Sequence, residues 1–420
     1  MKQLRSFEIS GISSMIRDLS LLSGNVWDME RGIQAGKIDA GLFRDLRVAA
    51  GEGNVGDLVL FKVETSGSYN GMETLWGKLV PLEVGRHYMG VLCERGSTKF
   101  MTAEFPEHPF PISEGLELQL VAQGGGVGYV TGFSPQLKNE GGSGTACDVL
   151  IEGLVWSEGG EVLNISQTGL PAPGKFEPGE IPPNILLLGT ATDVGKTTVA
   201  KEIIKHLSKR YACGAVKASG TGWYEDSLIH MDAGAFPVLS YTFAGLPTTY
   251  YVKEERYVAA MESVYWALAH PETIGKEFID PKKRDGELKR PDVIFTEHGG
   301  DLIWANIPTF LKNGGLMESV FAIVICCESA VSLLGALGEL KRHGVDERIR
   351  VYASVPLTNP EGFFRRVQEL LGSGVLAGVL DVNKPAETED TRKRYSMHYN
   401  EILSPEGLAG VLEKDLSNLR

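Results

Sequence analysis

The sequence predicts an α/β protein: a mostly parallel sheet flanked by helices in its C-terminal part, and a β-rich N-terminal domain before it. Three observations carry this. From residue 184 onward, strand-length apolar runs alternate with helix-length amphipathic runs, the pattern of successive βαβ units. Before residue 168 the apolar runs are short and separated by glycine-rich turns. Between them, GLPAPGKFEPGEIPP at 169–183 holds Pro171, Pro173, Pro178, Pro182 and Pro183, a stiff, non-helical stretch. The expected division is a β-rich domain over 1–168, a Pro/Gly linker over 169–183 and an α/β domain over 184–420.

In the N-terminal domain, strands are expected at 56–63, 89–93, 117–122, 148–155 and 161–165, after two short helices within 12–47. Their spacing suits a barrel-like or sandwich arrangement. Gly124-Gly125-Gly126-Val127-Gly128 lacks the GxGxxG spacing that opens a helix, so it reads as a flexible β-turn. Met72, Trp76 and Tyr88 read as core. In the C-terminal domain, strands are expected at 184–188, 213–217, 292–296, 321–326, 349–354 and 375–381. Helices are expected at 196–209, 254–269, 301–312, 330–343, 360–372 and 405–418. The charged segment 270–290 reads as a surface excursion. The apolar run 321–340 carries Glu328 and Glu339, so a buried strand followed by a helix fits it better than a membrane span.

At 420 residues two domains are the default, and 43% hydrophobic with 23% charged residues is the composition of a globular protein. The net charge of −13 argues against nucleic acid as a partner. Cys93, Cys147, Cys213, Cys326 and Cys327 are odd in number and lack CxxC spacing, which speaks against a disulfide framework or zinc site and for a reducing, cytoplasmic setting. MKQLRSFEIS has no apolar core of signal-peptide length.

The chemistry concentrates in Asn184–Thr198, NILLLGTATDVGKTT. An apolar strand runs into Gly189, a short polar turn follows, and Gly195-Lys196-Thr197-Thr198 opens an amphipathic helix. Glycines let backbone N–H groups converge on a phosphate, and the helix N-terminus adds its positive dipole end. Lys196 can reach the β- and γ-phosphates and Thr197 can give its hydroxyl to Mg²⁺. This is a P-loop NTPase domain read from sequence. The nucleotide-binding set is Gly189, Thr190, Thr192, Asp193, Val194, Gly195, Lys196, Thr197 and Thr198, with ATP the expected nucleotide and GTP an alternative. Asp193 can either orient substrate or cap the helix.

Five residues, not four, separate Gly189 from Gly195, and this longer GTxTxVGKT form resembles dethiobiotin synthetase and its relatives among the P-loop enzymes. The resemblance covers roughly residues 184–380. It implies a strand ending in a lysine and small polar residues, here Lys217, Ser219, Gly220 and Thr221, as substrate-binding positions. It implies an acidic Mg²⁺ ligand, for which Asp226 and Asp232 compete, and a later strand ending in Glu297-His298-Gly299-Gly300. It places Asn359 where such enzymes read the adenine base. Ala191 departs from the aspartate usual there, and such enzymes lack an N-terminal domain, so another substrate is implied. The chain is also similar to a group of prokaryotic P-loop proteins with an added N-terminal domain, one branch of which is associated with amino-acid N-acylation.

Glu297 stands at a strand's C-terminal end, where α/β sheets place their ligands; a solvated loop acid is the alternative. Lys217 can neutralise a transferring phosphoryl group or hold an anionic substrate. Residues 219–222 can form a second anion nest. His298 reads as structural rather than as an acid–base group, and Glu328 as a further strand-end candidate. The expected catalytic residues are therefore Lys196, Lys217 and Glu297, and the expected metal ligands Thr197, Glu297 and one of Asp226 or Asp232. Together they suggest a Mg²⁺- and ATP-dependent ligase or kinase acting on a small carboxylate or amine. The N-terminal domain would supply specificity or the surface of a homodimer or higher homo-oligomer, and no membrane partner is expected. A nucleotide-driven switch, or an acyltransferase whose loop holds a phosphate-bearing acyl carrier, are the alternatives. The switch reading is lowered by Thr190-Ala191-Thr192, which lacks a second lysine near the loop's start.

Overall fold

The computed structural model describes residues 1–3, 9–12, 46–67, 69–73, 78–97, 99–135, 146–157, 159–170, 172–173, 175–273, 289–355, 359–372, 374–385 and 401–419. The two short helices anticipated within 12–47, Trp76, and most of the 270–290 excursion lie outside the described residues.

The C-terminal half is built on a seven-stranded sheet. Its strands are β1 (Asn184–Gly189), β2 (Cys213–Ser219), β3 (Val238–Ser240), β4 (Val293–His298), β5 (Val320–Cys326), β6 (Arg350–Ser354) and β7 (Gly378–Leu380), in the order β3-β2-β4-β1-β5-β6-β7. Every pairing in it is parallel. The helices are α1 (Lys196–Leu207), α2 (Glu225–Asp232), α3 (Glu254–Ala269), α4 (Ile307–Lys312), α5 (Gly314–Met317), α6 (Ala330–Arg342), α7 (Pro360–Leu371) and α8 (Pro405–Leu419). β1 is buried along its whole length, and its side chains alternate between two cores. Ile185 and Leu187 face α1 and α8 through Val199, Ile203, Leu408 and Leu412. Leu186 and Leu188 face α3, α4 and α6 through Met261, Phe310 and Leu333. Between β1 and its neighbours β4 and β5 the connections depart in opposite directions, which leaves a crevice at the C-terminal strand ends.

The N-terminal half contains a closed ring of five strands. Leu58–Val63 pairs with His87–Leu92 and with Asp148–Trp156; the latter pairs with Glu117–Ala122, then Gly126–Gly128, which returns to His87–Leu92. Val59, Phe61, Val91, Leu120 and Val149 share its core with Met72 and Tyr88. Gly128 belongs there because a Cβ would lie 2.2 Å from the Cys93 carbonyl oxygen. The glycine run thus forms a turn at Gln123–Gly125 and a tightly packed strand.

Two sequence expectations are corrected. Residues 161–165 form isolated bridges and then a 3-10 turn at Ile165–Thr168, because Asn164 and Gln167 close a capping box. The helix expected from 301 begins at Ile307, since Ala305 and Asn306 have φ of 54° and 61° and the chain turns there. The segment 169–183 is packed at both ends: Leu170 and Ile181 join the α3-side core, and Leu170 N–H donates to the Phe243 carbonyl at 2.7 Å. The run 321–340 divides between β5 and α6, and among the described residues no helix is long and apolar enough to cross a membrane.

Candidate functional site

β1 ends at Gly189, where a Cβ would sit 2.6 Å from Lys196 Nζ, so only glycine lets the lysine fold back over the strand end. Gly195 takes φ of 86° and starts α1 without a side-chain cap, leaving the first helical N–H groups open to a ligand. Asp193 also has positive φ, 58°, and does not cap the helix; its carboxylate pairs with Lys99 from the N-terminal half at 3.3 Å. Lys196 is buried and donates to the carbonyls of Ala191 and Gly300 at 2.9 and 3.1 Å. Burial, reinforced by the charge of Lys217, lowers its pKa from the ordinary lysine value.

Beside the loop, two carboxylates and two donors interlock. Thr197 Oγ1 lies 3.1 Å from Asp226 Oδ1 and 2.8 Å from Glu297 Oε1, with one proton to donate to either. Lys217 Nζ bridges the same pair, 2.6 Å from Asp226 Oδ2 and 2.7 Å from Glu297 Oε1. The buried ring of His230 approaches the other oxygen of Glu297, with Nε2 at 2.9 Å from Oε2. Burial alone would raise the Glu297 carboxyl, but the Lys217 charge and the His230 contact outweigh it and hold it well below the usual carboxylate range. Burial likewise opposes the charge on Lys217, yet Asp226 and Glu297 hold its pKa above the ordinary lysine value. The result is an oxygen-rich pair of acids beside the first turn of α1, with Glu297 held ionised. Such hard donors fit Mg²⁺, with Thr197, Asp226 and Glu297 as the residues that would hold it.

These groups open into a cleft of about 510 Å³. Thr192, Asp193, Gly195, Lys196, Thr197, Thr198, Lys217, Gly220, Thr221, Asp226 and Glu297 all line it, so most of the anticipated site is brought together. Several anticipated residues are placed elsewhere. Gly189 and Thr190 lie beneath the loop, with Thr190 N–H bonded to the Cys326 carbonyl, and Val194 is buried in the α1-side core. Asp232 is exposed at the C-terminal end of α2, one helix length from Asp226, and takes no part in the acid pair. Asn359 is exposed and caps α7, its Oδ1 accepting from Glu361 and Gly362 N–H at 3.0 and 3.2 Å, so it does not line the cleft. Glu328 is exposed and also outside the lining.

The anion nest at 219–222 is not formed. Gly220 N–H donates to Thr249 Oγ1, Gly222 N–H to the Pro247 carbonyl, and buried Ser219 Oγ to the Gly299 carbonyl. His298 is structural in its contacts: its Nδ1 lies 3.1 Å from Ser219 Oγ and its ring meets Phe310 edge-on. Burial, then the charge of Lys217, lowers its pKa to about 3.

Sequence reasoning missed the far wall. Arg95, Ser97 and Phe100 of the N-terminal half face the loop across the cleft, alongside Trp223, Glu225 and Tyr250. Glu73 reaches over as well, accepting from Tyr224 and Glu225 N–H at 2.7 and 2.8 Å at the start of α2. No motif marks these residues, because the cleft joins segments more than a hundred positions apart. His230 carried the one available signal, sharing with Asp226 a face of α2 at i, i+4 spacing.

No family model and no curated protein matches the chain. Among solved structures, a plasmid partition protein of Borrelia burgdorferi bound to AMPPNP aligns over 56% of this chain and 99% of its own, at 13% identity and a TM-score of 0.30. A ParA family ATPase from Chlorobium tepidum aligns over 56% and 94%, at 11% identity and a TM-score of 0.27. The signal recognition particle receptor FtsY of Elizabethkingia anophelis with GDP aligns over 48% of each chain, at 14% identity and a TM-score of 0.24. At scores this low, the reading of the cleft stands on its own geometry.

Proposed function

We propose that this chain is a Mg²⁺- and ATP-dependent enzyme of the dethiobiotin-synthetase-like kind, activating a small carboxylate or amine by phosphoryl transfer. The observation that supports it best is the interlocked set Thr197–Lys217–Asp226–Glu297 beside an uncapped helix N-terminus, inside a cleft with room for a second substrate.

In this reading the phosphates lie on the N–H groups of 194–198, and Lys196 turns from the Ala191 and Gly300 carbonyls toward them. Mg²⁺ would neutralise charge on the phosphate oxygens when bound by Thr197, Asp226 and Glu297. Glu297, kept ionised, suits a ligand role better than that of a general base, which needs a pKa nearer neutrality. Lys217 holds the two acids in place and sets a fixed positive charge beside the transferring group. The N-terminal half adds Arg95, Ser97 and Phe100 to the cleft wall.

The test is ADP release from Mg-ATP by the full chain, with and without a panel of small acids and amines. The expected result is turnover stimulated by at least one panel member and lost, by 100-fold or more, in Lys196→Ala. ATP that binds but is never turned over with any panel member overturns the enzyme reading and favours a binding or switch role.

A further inference from the structure

The far wall of the cleft carries a buried arginine whose charge no carboxylate among the described residues answers. Arg95 lies on a short strand, Arg95–Gly96, held against Met101–Ala103, and is 7% exposed. Its Nη1 donates to the Val121 carbonyl at 2.6 Å. Its guanidinium lies over the rings of Tyr69 and Phe100, at 5.3 and 5.4 Å from their centroids. Among the described residues no Asp or Glu pairs with it, although the chain has 54 acidic residues against 41 basic ones. The neighbouring Glu94 is engaged elsewhere, accepting from Phe105 N–H and lying 3.0 Å from His108 Nε2.

Two hydroxyls in the same lining are buried and also without a partner among the described residues, Ser97 Oγ and Thr221 Oγ1. A buried polar group left unpaired is destabilising, and an unpaired charge more so. The phosphate end has its own cations, Lys196 and the α1 N-terminus, and Arg95 is a further cation in the lining of the same cavity.

We infer that Arg95, with Ser97 and Thr221, binds the carboxylate of a small organic acid that is the second substrate. A planar guanidinium fixed by a carbonyl and two rings is suited to two parallel bonds to a carboxylate. The flanking Phe100, Trp223 and Tyr250 offer apolar surface to the rest of such a molecule. The inference rests on the enzyme reading above and narrows its substrate to an acid.

Calorimetric titration of the full chain, with Mg-ADP present, tests it. The probes are succinate, glutarate and benzoate, their neutral amides, and inorganic phosphate. At least one acid is expected to bind saturably and its amide not to bind. Arg95→Gln and Arg95→Met are expected to weaken that acid at least tenfold while retaining Mg-ADP affinity. The methionine keeps the space beside the two rings filled, so a folding defect in the glutamine variant does not hide the result. Binding of the acids by both variants as well as by wild type, binding of phosphate alone, or no acid binding to wild type would each overturn the inference. Failure of Mg-ADP itself to bind wild type would instead overturn the nucleotide reading.

Discussion

Lys217 is the residue on which the site's charge balance turns. It is 7% exposed and touches both acids, so removing it leaves two carboxylates facing each other with one threonine hydroxyl between them. Lys217→Met is expected to lower stability by about 3–5 kcal/mol, the usual effect of breaking a buried pair from one side. Urea midpoints check this, and a loss below about 1 kcal/mol would show that the network is solvated rather than buried. Asp57 makes a prediction of opposite character. Burial raises its pKa above 3.8, against the bonds from Asn164 and Asn54. The folded state then holds its proton more tightly than the unfolded state, so wild type gains stability as pH falls from the raised pKa toward 3.8. Asp57→Asn lacks that response. Urea midpoints at neutral pH and near the lower limit of this window are expected to show wild type gaining on the variant; a pH-independent difference would refute the assignment.

At the scale of elements, α2 matters most because it carries both Asp226 and His230. Its own N-cap, Tyr224, makes no side-chain cap bond, and the carboxylate of Glu73 from the other half of the chain takes that role. Glu73→Ala is expected to cost about 1–2 kcal/mol and to weaken Mg-nucleotide binding, because Asp226 sits in the first turn of that helix. Asn359→Ala is expected to cost about 1 kcal/mol with nucleotide affinity unchanged, since the residue caps α7 and does not line the cleft. A large loss of affinity in that variant would restore the base-reading role. The long elements were legible from sequence: 254–269 and 117–122 are found at the expected bounds, and β1 and α1 nearly so. α2 and β3 were not, because EDSLIHMD has little amphipathic pattern and Val238–Ser240 is three residues long.

In the whole molecule two halves together line one cleft, and this was the least legible level. A phosphate loop is local and announces itself in fifteen residues, whereas Arg95, Ser97 and Phe100 reach the loop only because two separate folds pack together. Asp232 and Asn359 show the same limit: both are of the right chemical type, and only the chain's path puts Asp226 at the site and leaves the other two outside it. The contact between halves is close. A Cβ on Gly96 would stand 2.4 Å from Tyr250 Cδ1 and 2.6 Å from Trp304 Nε1. Gly96→Val is therefore expected to push the Arg95 strand off the C-terminal half and to lower substrate-stimulated ADP release at least tenfold. Unchanged stimulation would mean that the far wall plays no part in the reaction.

The central claim is that the loop at 189–198 holds a nucleotide. It is tested most directly by calorimetric titration of Mg-ATP into wild type and Lys196→Ala. Saturable one-site binding in wild type, weakened at least 100-fold in the variant with its thermal stability kept, is the predicted result. Equal binding by both proteins, or none by wild type, would contradict it.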